Sequence, residues 1–87
     1  MSETGKEYGE FLEERRSDNY TRFRKELLPR LKNSQEVLSI EEQNYSFILT
    51  TKKWGVVDIF PKANKVRVRR LNRWTNGVQG WAQRNLL

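Results

Sequence analysis

Apolar side chains in the first third of the chain recur at the spacing of an α-helix. Successive members of this series are three, four and four residues apart: Tyr20, Phe23, Leu27 and Leu31. Such a series forms one face of a helix. An earlier apolar group in residues 8–12 would point roughly 110° away if one helix contained both. Since a straight helix would not bury both groups, we predict two helices with a break near residues 17–18.

The predicted helices also have start and stop signals. Thr4 and Glu7 have the spacing of a capping box, which predicts a first helix running to about Arg16. Pro29 cannot donate a backbone hydrogen bond and disfavours helical geometry at the preceding residue. The second helix is therefore predicted to kink or end there.

From residue 37 onward the apolar pattern becomes that of β-strands. Four short segments are rich in β-branched and aromatic side chains. In chain order they are VLSI, YSFILTT, WGVVDIF and KVRVRR, at residues 37–40, 45–51, 54–60 and 65–70. Residues 41–44 are polar and are predicted to form a loop between the first two strands.

The last two predicted strands can be placed in register from burial alone. The third strand carries Val57 and Ile59 on one face, and Trp54, Val56, Asp58 and Phe60 on the other. A four-residue loop at residues 61–64 pairs Val57 with Val68. The same register sets Asp58 against Arg67. A shift of one residue would put arginines opposite the aliphatic face, which burial forbids.

Two asparagines are predicted to shape the C-terminal half. Asn64 tolerates a left-handed conformation at the end of the hairpin loop. Asn76 can cap a short final helix, with Gln79 three residues further on. The inner stripe of that helix would consist of Val78, Trp81, Ala82, Asn85 and Leu86.

These elements together predict an α+β fold. N-terminal helices pack on a small antiparallel sheet of three or four strands, and a short C-terminal helix follows. With 87 residues the chain is predicted to form a single domain. Residues 1–16 could form a loosely attached N-terminal helix.

The composition excludes several kinds of site. The chain has no cysteine and no histidine, which removes disulfides, thiolate metal sites and the commonest general base. Asp58 lacks the second carboxylate of a magnesium-dependent nuclease, and an ion pair with Arg67 explains it instead. We therefore expect a protein that is not an enzyme and has no cofactor or metal.

The sequence has no signal for a membrane location. No apolar run approaches the ~20 residues of a membrane span. The N-terminus is too polar for a signal peptide. The expected compartment is the cytoplasm.

The distribution of charge is more informative than the net charge of +6. Residues 1–44 carry 8 basic and 10 acidic side chains, whereas residues 45–87 carry 9 basic and 1 acidic. A basic half of this kind is typical of proteins that bind nucleic acid or another polyanion. The alternative is a basic protein that has no polyanionic partner.

Cations and aromatic rings alternate along the predicted hairpin and the segment after it. Guanidinium groups bind phosphates through paired donors, and aromatic rings stack on exposed bases. The predicted nucleic-acid-binding residues are Lys62, Lys65, Arg67, Arg69, Arg70 and Arg73, with Trp54 and Trp74 as stacking groups. The structural alternative is that a helix covers Trp54 and Phe60, with the arginines extending beside them.

Trp74 and Trp81 are seven residues apart, and both could face the sheet as core residues. That position is favoured for Trp81. Trp74 lies between Arg73 and a polar turn and is the better candidate for an exposed stacking group, although a core position is favoured for it as well.

The hairpin resembles that of small, mostly phage-encoded proteins whose function is largely unassigned. The matching residues are Phe60, Pro61, Lys62, Asn64 and Lys65, followed by Trp74, Gly77 and Trp81. The resemblance covers the C-terminal half and implies a phage or prophage origin, with the host cytoplasm as the location.

The expected function is a non-enzymatic, nucleic-acid-associated module that contacts the phosphate backbone of single or double strands. The alternative is a protein–protein inhibitor or adaptor, such as a phage counter-defence or host-takeover factor, which uses the same Arg and Trp side chains on a host protein. No membrane partner is expected. The protein is expected to be a monomer, or a weak dimer through the edge of the VLSI strand.

Overall fold

A long helix, α1, opens the part of the chain that the computed structural model describes, which is residues 16–87. Residues 16–32 are helical, with a π-helical turn at Phe23–Leu27 followed by α-helix at Leu28–Lys32. The predicted break near residues 17–18 is wrong, since both residues are helical. The first predicted helix and its capping box lie outside the described residues.

The helix continues past Pro29 because the π-turn ends at Leu27 and places Pro29 in the first turn of the following α-helical segment, where its missing N–H is tolerated. The Leu28 N–H bonds to the Phe23 carbonyl, five residues back. A π-turn holds one more residue than an α-turn, so the consecutive Leu27 and Leu28 are both buried. The helix does not end at Pro29, and it continues to Lys32.

The remaining chain forms a five-stranded antiparallel sheet and a short second helix, so the fold is α+β as predicted. The strands are β1 (Val37–Glu42), β2 (Phe47–Thr51), β3 (Gly55–Phe60), β4 (Lys65–Val68) and β5 (Arg73–Asn76), in the spatial order β1-β2-β3-β4-β5. Helix α2 (Val78–Asn85) follows β5. The predicted three or four strands are too few, since the sheet has five, and β1 includes two glutamates of the predicted loop.

The predicted register of β3 against β4 is confirmed. Val57 pairs with Val68, and Asp58 pairs with Arg67. Asn64 ends the connecting turn with a φ of 56°, the left-handed conformation expected of it. The aliphatic side chains of the two strands therefore share one face.

Strand β5 is not among the predicted strands, and a tight reversal of the chain precedes it. A 3₁₀ turn at Arg69–Leu71 is followed by Asn72 with a φ of 48°. This reversal returns the chain antiparallel to β4, with Trp74 directly opposite Arg67. Asparagine is the residue that most readily adopts a positive φ after glycine, so Asn72 was the signal for the turn.

Both helices pack on the same side of the sheet, which we call the inner face. The core consists of Phe23, Leu27, Leu28, Leu31, Phe47, Leu49, Val57, Ile59, Val66, Val68, Val78, Trp81, Ala82 and Leu86. Alternation along the strands directs the other side chains to the opposite, outer face. Neither α1 nor α2 packs on the outer face.

Helix α2 is capped by Asn64 from the β3–β4 turn. The Asn64 carbonyl accepts the Gly77 N–H at 2.8 Å, and its side-chain Oδ1 accepts the Val78 N–H at 2.9 Å. The predicted cap, Asn76, instead belongs to β5. The Asn64 side chain thus accepts a hydrogen bond from the first N–H of a helix that begins 14 residues later.

Replacing Asn64 should destabilise the fold in graded steps. Asn64→Gly keeps the positive φ but removes the cap, so we expect a loss of about 1 kcal/mol. Asn64→Ala adds backbone strain and should cost about 2 kcal/mol or more. Urea denaturation followed by circular dichroism measures both losses.

Asn64→Asp serves as the control because it retains an acceptor and tolerates a positive φ. Its stability should stay close to wild type, since a carboxylate is also favourable at a helix N-terminus. Equal losses for Asp and Ala at this position would contradict the capping role.

Candidate nucleic-acid interface

An aromatic pair lies on the outer face near the β3–β4 turn. Phe60 on β3 and Trp74 on β5 have ring centroids 5.3 Å apart at an interplanar angle of 34°. Strand β4 lies between β3 and β5, so the two rings meet across it. The rings are tilted, and their separation lies within the range of about 4.5–7 Å that is typical of interacting aromatic pairs.

Arg67 on β4 completes what we call the outer-face cluster, formed by Phe60, Arg67 and Trp74. The Arg67 guanidinium carbon lies 5.6 Å from the centroid of the Trp74 ring. Its Nη2 donates a hydrogen bond of 3.1 Å to Oδ1 of Asn72. The residue that reverses the chain into β5 thus also orients the arginine over the ring.

Trp74 is 52% exposed, so the core position favoured for it is wrong. Trp74 and Trp81 do not share a helix, because Trp74 lies in β5 and faces outward. Trp81 is only 6% exposed, which confirms its predicted core position.

Trp54 was predicted on the face of Phe60, and this prediction is wrong. Its ring packs against Trp81 at 6.2 Å on the inner side of the sheet. Gly55 has a φ of 70°, which breaks the strand alternation between Trp54 and the rest of β3. Trp54 and Trp74 therefore lie on opposite faces and cannot form one stacking surface.

The carboxylate of Asp58 is bound by Arg69. Arg69 donates from Nε to Oδ2 at 2.7 Å and from Nη2 to Oδ1 at 2.8 Å. These hydrogen bonds, and then the charge of Asp58, raise the pKa of Arg69 above its usual value. Asp58 is 5% exposed, so Arg69 neutralises a buried charge.

This pairing corrects the predicted ion pair between Asp58 and Arg67. The two residues are register partners, but the arginine two positions further along reaches the carboxylate diagonally. The ion pair with Asp58 also argues against the predicted phosphate-binding role of Arg69, because the paired donors of Arg69 already bind a carboxylate.

The other predicted cations are dispersed around the sheet. Lys65 is exposed and shares the outer face with Arg67, and Arg70 is exposed on the 3₁₀ turn. Arg73 is opposite Val68 and so leaves the sheet on the inner side. Lys62 is exposed at the hairpin turn, where its Nζ lies 5.5 Å from the Tyr20 ring centroid.

The structure thus brings together part of the predicted site and separates the rest. Lys65, Arg67 and Trp74 share the outer face, whereas the Lys62 side chain lies against Tyr20 of α1 at the hairpin turn. Within residues 16–87, the only salt bridges are Arg69–Asp58 and Arg24–Glu42, so these three cations pair with no carboxylate there.

Two aromatic residues were missed as members of the surface. Phe60 is predicted on the face of Arg67 but is not among the predicted binding residues, although its ring packs against Trp74. Tyr45 was assigned to a strand, but it lies in the β1–β2 loop and is 78% exposed. Its position after the polar segment at residues 41–44 was a signal for a loop.

Comparison with protein-family models, curated proteins and solved structures found no match. Among residues 16–87, no helix combines the length and apolar character needed to cross a membrane. The same residues contain no group of three or more acidic side chains placed to hold a metal ion.

The two tryptophans should differ in their contribution to stability. Trp54→Ala removes a ring packed on Trp81 and should cost about 2–3 kcal/mol of unfolding free energy. Trp74→Ala removes only an outer-face pair and should cost about 1 kcal/mol or less. Chemical denaturation monitored by circular dichroism gives both values.

Trp54→Phe is the control for this comparison, because it keeps an aromatic ring and removes an indole N–H that has no partner within the described residues. Its loss should be smaller than that of Trp54→Ala. A larger loss for Trp74→Ala than for Trp54→Ala would contradict the assignment of faces.

Removing Arg69 should lower the stability of the fold, because Arg69 is the ion-pair partner of the buried Asp58. Arg69→Gln leaves the buried Asp58 carboxylate without its partner and should lower the melting temperature. Asp58→Asn in the same chain should recover part of the loss, because the uncompensated charge is gone. Differential scanning calorimetry of the single and double variants tests the coupling, which would be refuted by additive losses.

Proposed function

We propose that this protein is a small non-enzymatic module that binds nucleic acid through its outer face. The observation that carries the proposal is the outer-face cluster, which places a half-exposed tryptophan and an arginine together on a sheet surface. No helix within residues 16–87 covers it. Lys65 adds a second cation beside the rings.

The chemistry of the cluster matches the two parts of a nucleotide. A base can stack on the exposed face of Trp74, which is typically worth about 1–3 kcal/mol per base. Arg67 and Lys65 can then bind the phosphates on either side. Neither contact reads the edge of a base, so binding is expected to be weakly sequence-specific.

The proposal includes the origin of the protein and its cellular location. The hairpin resemblance supports a phage or prophage protein acting in the host cytoplasm. A monomer is sufficient for the proposed contacts, because one sheet provides all of them.

A second candidate function is favoured by exposed apolar side chains around the cluster. Leu71 and Trp74 are each about half exposed, and Tyr45 is more so. Aromatic and arginine side chains of this kind often dominate protein–protein interfaces. An inhibitor or adaptor that docks on a host protein would use the same surface.

Fluorescence anisotropy with a labelled single-stranded oligonucleotide tests the leading proposal. Trp74→Ala and Arg67→Gln should each weaken binding by about tenfold or more, since each removes a contact worth over 1 kcal/mol. With Lys62, Lys65 and Arg67 on phosphates, log K should fall against log salt with a slope of about −2.

Arg84→Gln is the matched control because it removes the same charge from α2, on the other side of the sheet. Its affinity should stay near that of wild type. Equal weakening by Arg84→Gln and Arg67→Gln would indicate only a general charge effect. An absence of binding at low salt would refute the nucleic-acid proposal and favour the adaptor.

A further inference from the structure

An open pocket lies beside the outer-face cluster. It is formed where residues 16–20 of α1, the β1–β2 loop and the β3–β4 turn come together, and its volume is about 620 Å³. Pockets for small molecules typically have volumes of about 300–1,000 Å³. Phe60 lines this pocket and also contacts Trp74, so the pocket and the cluster form one continuous surface.

The walls of the pocket combine aromatic rings with positive charge. Tyr20, Tyr45 and Phe60 supply three rings, and Arg16 and Lys62 supply two cations. The Lys62 ammonium group lies 5.5 Å from the centroid of the Tyr20 ring. Rings and cations are thus close enough to contact the same small ligand.

The other lining residues, Ser17 and Ala63, are small and uncharged. None of the residues that line the pocket within the described chain is acidic. The rings and the positive charge therefore suit a ligand that has an aromatic part and an anionic group.

Contacts between the walls hold the pocket in shape. The Asn19 side chain donates a 3.4 Å hydrogen bond to the Lys62 carbonyl, which joins α1 to the hairpin turn. The Tyr20 hydroxyl accepts a 3.0 Å hydrogen bond from Arg24, and its ring lies 6.5 Å from that of Phe47. Such preorganisation lowers the entropy lost when a ligand binds.

We propose that this pocket is a nucleotide subsite, which takes one unstacked base among its rings and the attached phosphate at Lys62 and Arg16. This inference rests on the proposed function and makes it more specific. A strand that continues from the pocket would meet Trp74 next, because Phe60 borders both sites. Only a single strand can present an unpaired base, so the preferred ligand is single-stranded.

The test is an NMR titration of the full-length ¹⁵N-labelled protein with three probes: deoxyadenosine monophosphate, deoxyadenosine and inorganic phosphate. The mononucleotide should shift the amide signals of residues 16–20, 45 and 60–63. Deoxyadenosine should bind at least about fivefold more weakly because it lacks the phosphate, and inorganic phosphate should leave the signal of Tyr45 unchanged.

Tyr45 is the residue to change because it is the most exposed ring of the pocket and lies outside the core. Tyr45→Ser should weaken mononucleotide binding about fivefold or more, whereas Tyr45→Phe should retain it. Lys62→Gln should also weaken it, and Lys52→Gln is the matched control, since Lys52 does not line the pocket. Circular dichroism checks that each variant is folded.

The outcomes separate this inference from the proposed function. If the oligonucleotide binds through Trp74 but millimolar mononucleotide shifts no pocket signal, the subsite is refuted and the proposed function stands. Identical shifts with inorganic phosphate, or unchanged affinity in Tyr45→Ser, would also refute the subsite. Mononucleotide binding without oligonucleotide binding would support the pocket and refute the strand-binding function.

Discussion

The pairing of β3 with β4 is the constraint on which the rest of the structure depends. Val57, Ile59 and Val66 are fully buried in this register, under both helices. A strand alternates strictly, so burying these aliphatic side chains directs Phe60 and Arg67 to the opposite face. Core packing and the composition of the candidate site are therefore consequences of the same register.

Asn64 extends this constraint to the C-terminal part of the chain. Its left-handed backbone closes the hairpin, and its two oxygen atoms bind the first N–H groups around α2. The position of α2 is thereby tied to the turn that sets the register. Since α2 carries Trp81, the same contacts position the ring against which the partly buried Trp54 packs.

The candidate site consists of fewer cations than the sequence contains in that region. Arg69 neutralises the buried Asp58, and Arg73 leaves the sheet on the helical side. Lys65 and Arg67 remain on the outer face, and Lys62 lies at the hairpin turn. They lie next to aromatic rings, among them the half-exposed Trp74, and this combination supports the proposed ligand with both bases and phosphates.

The amino-acid sequence by itself determined the helical character of residues 20–28, the four strands from β1 to β4 and the β3–β4 register, because these follow from local periodicity and from a single burial rule. It did not show the side to which Trp54 turns or the partner of Asp58. Both depend on contacts between distant residues: a positive φ at Gly55 lets Trp54 reach Trp81, and Arg69 reaches Asp58 diagonally. Only the tertiary structure decided these points, because burial of a ring or a charge is determined by what packs on it and not by its neighbours in sequence.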